Sequence, residues 1–114
     1  MTASGGPTDA AKSREVFERI ATSYVGEAGV TSGTGFGSNP GLRISGKIFA
    51  MLSNDALVVK LPATRVDELV ADGDATHFDA GKGRLMREWA SVGASRSGEW
   101  DHLVREALDF VRTR

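Results

Sequence analysis

The spacing of apolar residues along the chain changes period several times, and each change marks an element. Val16, Phe17, Ile20, Ala21 and Tyr24 recur at steps of one and three, which places them on one face of a helix. Thr8 or Asp9 can cap that helix, and Gly26 or Gly29 ends it. From Val30 to Gly41 the chain is rich in Gly, Ser and Thr around Phe36, so a short irregular strand and a Ser38-Asn39-Pro40-Gly41 turn are expected. Leu42 and Ile44, a Ser45-Gly46 turn, and the run Ile48, Phe49, Ala50, Met51, Leu52 predict a hairpin. A turn at Ser53, Asn54 and Asp55 leads to Leu57, Val58, Val59 and Leu61, a third strand with Lys60 toward water and Pro62 as its stop.

Beyond Pro62, Thr64 is expected to cap a short helix with Asp67 three residues on, an apolar stripe of Val66, Leu69 and Val70, and Gly73 at its end. Ala75 to Ala80 and Leu85 to Val92 read as two strands that turn at Gly81-Lys82-Gly83. Ser97 is the expected cap of a last helix whose Trp100, Leu103, Val104, Ala107, Leu108 and Val111 form an almost unbroken stripe. The predicted fold is therefore α+β, in the order α-β-β-β-α-β-β-α, with an antiparallel sheet of about five strands because the connections are too short for parallel crossovers. Helices should cover one face. The other face should stay partly open, with Phe49 or Met51 marking a surface that pairs with another subunit.

Length and composition add limits. The 114 residues suit one domain over 8–114, with residues 1–7 as a disordered tail, and 40% hydrophobic with 25% charged residues is an ordinary globular balance. Cys is absent, so disulfides, thiolate metal sites and thiol nucleophiles are excluded, and the reducing cytoplasm is the default compartment. No apolar run is long enough to span a bilayer, so no membrane partner is expected. The net charge of -1 argues against a broad phosphate-binding surface. A local basic cluster of Lys82, Arg84 and Arg87, joined by Arg43, is the candidate for nucleic-acid or anion contact.

The order of several short segments resembles a known family. Phe36-Gly37, Pro40-Gly41-Leu42, Gly46 to Leu52 and Leu57 to Pro62 resemble the N-terminal domain of TfoX/Sxy proteins, as do Arg65 to Val70, the turn from Phe78 to Arg84, and Met86-Arg87-Glu88-Trp89. The resemblance spans nearly the whole chain after the first helix. It implies an α+β fold of the kind found in secretion chaperones and YjbR-like proteins, a regulatory association, and no enzymatic activity. Full-length regulators of that family carry a second, helical domain, whereas this sequence ends just after its third predicted helix.

The reactive residue types offer little else. Gly33, Gly35, Gly37 and Gly41 follow neither dinucleotide nor Walker spacing, so turn geometry is the simpler account, and no cofactor is expected. His77 and His102 have no nucleophile at motif spacing. Asp72, Asp74 and His77 miss the spacing of a calcium loop, and no metal is expected. Arg87 and Trp89 share a face on an alternating strand and could hold a ligand by charge and stacking, unless Trp89 simply packs inward. A pocket between sheet and final helix, near Trp89 and Trp100, is the alternative that would make the chain a small-molecule binder. Contact with another protein, or with a second copy, ranks first among the expected partners.

Overall fold

The structure is a computed structural model that describes residues 9–34, 40–79 and 85–113. Helix α1 spans Asp9–Tyr24, followed by strands β1 Val30–Thr34, β2 Pro40–Ile44, β3 Lys47–Ser53 and β4 Ala56–Lys60. Helix α2 covers Ala63–Ala71, strands β5 and β6 cover Thr76–Asp79 and Leu85–Val92, and a 3-10 helix at Ala94–Glu99 leads into α3 at Trp100–Arg112. The described strands join one six-stranded sheet in the order β1-β2-β3-β4-β6-β5, and every neighbouring pair is antiparallel. The fold is α+β as expected; the irregular segment before Leu42 contributes a regular strand, β1, and so a sixth member.

Turn chemistry sets the register of the central strands. Ser45 and Gly46 have φ of 51° and 84°, and Asn54 and Asp55 have φ of 51° and 65°. Two successive left-handed residues give the tight turn whose twist matches that of antiparallel strands. Gly73 ends α2 with φ 81°, its N–H bonded to the Val70 carbonyl at 3.1 Å. Two predicted caps are not caps. Helix α2 begins at Ala63 behind Pro62, which pre-sets the backbone without a side-chain bond, and Ser97 lies inside the 3-10 helix while Glu99 precedes α3.

All three helices pack on the same side of the sheet. The core joins Phe17, Ile20 and Tyr24 of α1, Val66 and Leu69 of α2 and the whole α3 stripe to Leu42, Phe49, Leu57, Val59, Ala90 and Val92 of the sheet. Trp100 is fully buried there, and its indole N–H donates to the Gly93 carbonyl at 3.3 Å. Burial of each such large apolar side chain favours the folded state by about 1.5–3 kcal/mol.

A β-bulge decides which residues reach this core. Leu42 lies opposite Ala50 but Arg43 opposite Ile48, so Phe49 is an extra residue on β3. Phe49 and Ala50 consequently join the helix-side core together, while Ile48 and Met51 turn to the far side. Phe49, expected on an open face, is instead wholly buried beneath the helices.

The loop between α1 and β1 is pinned by backbone bonds. Glu27 N donates to Tyr24 O at 2.9 Å, Val30 N to Glu27 O at 3.1 Å, and Ser45 N to Gly29 O at 3.1 Å. Gly29 sits at φ 83°, and a Cβ there would stand 3.0 Å from Ile44 Cδ1; at Gly46 the corresponding space is open. Gly29→Ala should therefore lose roughly 1–2 kcal/mol from the left-handed backbone and more from crowding, and Gly46→Ala only the backbone part. Urea unfolding would rank the two; equal losses would mean that Ile44 gives way without cost.

Candidate functional site: the helix-free face and the charged loops

On the side of the sheet away from the helices, Met51, Val58 and Trp89 form a small second cluster, and the half-buried Ile48, Phe78 and Met86 pack around it. Strand alternation puts Val58 and Lys60 on this face, since Leu57 and Val59 point into the helix-side core. Lys60, expected to point to water, is only half-exposed: its ammonium lies 5.4 Å from the centre of the Trp89 ring and 3.9 Å from Glu88. Trp89 therefore serves as a packing residue under a cation rather than as an open platform.

The pairing of β5 with β6 is irregular just here. His77 faces Ala90 but Phe78 faces Met86, so Arg87, Glu88 and Trp89 bulge out of that ladder. The peptide of Glu88 is still used, since its carbonyl accepts from Leu61 N at 2.9 Å.

Of the residues expected to form a partner surface, Phe49 belongs to the helix-side core, and Met51 and Trp89 are buried at the centre of the far cluster. The half-buried Ile48, Phe78 and Met86, which sequence spacing did not single out, ring that centre. Trp100 and Trp89 lie on opposite faces of the sheet, so no pocket forms between them, and Trp89 lines none of the cavities described below.

The expected basic cluster is only partly in view. Lys82 and Arg84 lie outside the described residues. Arg43 is half-buried on β2 and donates to the Gly46 carbonyl at 3.2 Å, while Arg87 is exposed on β6. With β3 and β4 between them, the backbones of these two arginines are separated by three strand spacings, roughly 14 Å.

Opposite charges meet at several places among the described residues, and those that join helices and loops matter most here. Arg65 of α2 donates to both carboxylate oxygens of Glu106 on α3, at 2.9 and 3.1 Å, and to Glu68 at 3.2 Å, which ties the two helices. The Glu106 contact is the main reason that the Arg65 guanidinium holds its proton more tightly than usual. His102 lies 3.0 Å from the same carboxylate on the exposed side of α3, and His77 lies 3.3 Å from Asp67. Both histidines are thus surface partners of carboxylates. Among the described residues no group of three or more His, Asp or Glu side chains could hold a metal, and no helix is long and apolar enough to cross a membrane.

A further such place is the α1–β1 loop. Arg105 donates through both terminal nitrogens to Glu27, Arg112 donates to Glu27 Oε1 at 3.0 Å, and the Arg105 guanidinium lies 4.8 Å from the centre of the Tyr24 ring. Arg105 and Arg112 are two turns apart on α3 and converge on one carboxylate; nothing in the sequence spacing of Glu27 pointed to them. Their donated hydrogen bonds, Arg105 first, hold the Glu27 carboxyl below its ordinary range. Burial, with Asp101 nearby, pushes the Tyr24 hydroxyl up.

Comparison of the chain with protein-family models, with curated proteins and with solved structures finds no match. The reading of the site therefore stands on its geometry.

Two outcomes test this geometry. Met51→Ala should destabilise by about 2–5 kcal/mol, as for a fully buried methionine, and a near-neutral effect would restore the exposed reading. Glu27, with its folded pKa lowered, contributes stability above its unfolded value of 4.5 and loses that contribution as pH falls through the folded value. Glu27→Gln should therefore unfold at lower urea concentration than wild type near neutral pH, with the gap closing below pH 4.5. A gap independent of pH would remove the ion pair from the account.

Proposed function

We propose that this chain is an accessory or regulatory domain that acts through protein contact and pairs with a second copy of itself along β1. The observation that carries the reading is the β1 edge. Among the described residues strand β1 pairs only with β2, in an uninterrupted register from Val30 opposite Ile44 to Thr34 opposite Pro40. Its residues, Val30-Thr31-Ser32-Gly33-Thr34, include no charge, no proline and no bulge, the devices that normally stop an edge from recruiting another strand. The opposite edge, β5, is four residues long and irregularly paired.

Beside the β1 edge runs a groove of about 470 Å³, floored by Phe17, Ala21 and Val25 of the first helix and its loop and by Pro40 and Gly41 of β2. Val25, 43% exposed, is the large apolar residue most open to water among those described. A two-fold axis through β1 would set small uncharged residues against their own copies, so no like charges would oppose each other, and a peptide backbone would meet unpaired backbone groups. The two Val25 side chains would add apolar area at the margins.

The resemblance to TfoX/Sxy N-terminal domains supports a regulatory role linked to transcription or competence, and supports a non-enzymatic one. The charge pairs point the same way, because each joins opposite charges between or along elements at a solvent-facing position.

Sedimentation equilibrium and amide hydrogen exchange test the reading. A concentration-dependent dimer is expected, with slowed exchange over Val30–Thr34 in the dimer, and Ser32→Lys should dissociate it while leaving the unfolding midpoint near wild type. A monomer throughout, with β1 exchange independent of concentration, would overturn it.

A further inference from the structure

Between the α1–β1 loop, the β2–β3 turn and the C-terminal end of α3 lies a basin of about 610 Å³, within the size range of small-molecule sites. Ile44 and Val111 supply apolar walls, Ser45, Lys47 and Arg112 supply donors, and the Glu27 carboxylate, already held by Arg105 and Arg112, lines the basin beside them. We propose that this basin binds a small organic carboxylate with an apolar body, the carboxylate meeting Lys47 and Arg112 and the body lying on Ile44 and Val111. The site is separate from the β1 edge and does not depend on the protein-contact reading.

Three features support the assignment. The first is charge. Glu27 is shared by Arg105 and Arg112, and Asp109 approaches Arg105 at 3.9 Å, so Lys47 has no carboxylate partner among the described residues. Among the described residues the basin is left with one cation in excess.

The second is donor capacity. Arg112 gives one terminal nitrogen to Glu27, and a guanidinium has five N–H donors, so donors remain to meet a second carboxylate beside the first. Glu27 already demonstrates the contact that a ligand carboxylate would copy.

The third is preorganisation. Lys47 sits opposite Ile44 at the mouth of a hairpin fixed by two left-handed residues. That hairpin is tied to the α1–β1 loop by the bond from Ser45 N to Gly29 O, and the loop is tied to α3 through Glu27. A ligand would therefore find the backbone that carries its donors already placed, which lowers the entropic cost of binding.

The chemistry predicts a selectivity order. Hexanoate should bind better than acetate by up to about fourfold for each methylene that reaches the apolar wall. Hexanol, which has the same chain and no charge, should bind at least about tenfold more weakly than hexanoate, as for loss of a hydrogen bond between charged groups.

The test is an amide chemical-shift titration of the full chain with hexanoate, acetate, hexanol and inorganic phosphate. Saturable shifts with hexanoate at Ser45, Gly46, Lys47 and Arg112 are expected, weakened about tenfold or more in Lys47→Ala and unchanged in Lys12→Ala, a lysine outside the basin. No saturation at roughly millimolar hexanoate, shifts centred elsewhere, or equal affinity for Lys47→Ala would overturn the proposal. Hexanol binding as tightly as hexanoate would refute recognition of the charge, and phosphate binding as tightly would refute the apolar body.

Discussion

The packing of α3 against the middle of the sheet is the constraint on which the other features depend. Its stripe from Trp100 to Val111 can be buried only if β2, β3 and β4 present apolar side chains to the same side. A regular β3 would send Phe49 and Ala50 to opposite faces. The bulge between Leu42 and Arg43 lets both face α3 and at the same point delivers Met51 to the far face, where it meets Val58 and Trp89. One inserted residue thus serves two clusters.

That constraint also explains what the sequence made legible. Helical stripes and left-handed turns are local signals, so α3, the turn at Ser45-Gly46 and the end of α2 at Gly73 could be placed from spacing alone. A bulge is not local. It depends on how β2 and β3 match across the ladder, and alternation read along β3 by itself put Phe49 and Met51 on one face when they lie on two. The capping assignments at Thr64 and Ser97 missed for a related reason: Pro62 and a 3-10 helix settle those helix starts through backbone geometry, with no side-chain bond to read.

The charged groups were the least legible part. Arg65 with Glu106, and Glu27 with Arg105 and Arg112, are separated by 41 to 85 residues and meet only because the helices cross the sheet side by side. Such pairs carry no motif. The basic residues that do cluster in sequence include Arg87, which the sheet holds on a different strand from Arg43 with two strands between. Sequence distance, by contrast, hid the cationic pair Arg105 and Arg112 that the fold brings onto Glu27.

The short loop after α1 connects the two candidate surfaces. Val25 borders the groove beside β1, and Glu27 and Ala28 border the basin at the end of α3. Val25 N is bonded to Ala21 O at 3.0 Å, Glu27 N to Tyr24 O and Val30 N to Glu27 O, so the segment has little slack. Gly29 adds a positive φ with Ile44 against it. A ligand that drew Arg112 away from Glu27 would leave the loop held through Arg105 alone, and any shift of Glu27 would be taken up within four residues that include Val25. The groove and the basin draw on the same few backbone bonds, so the rigidity of this loop, more than the chemistry of either surface, determines whether the two act independently.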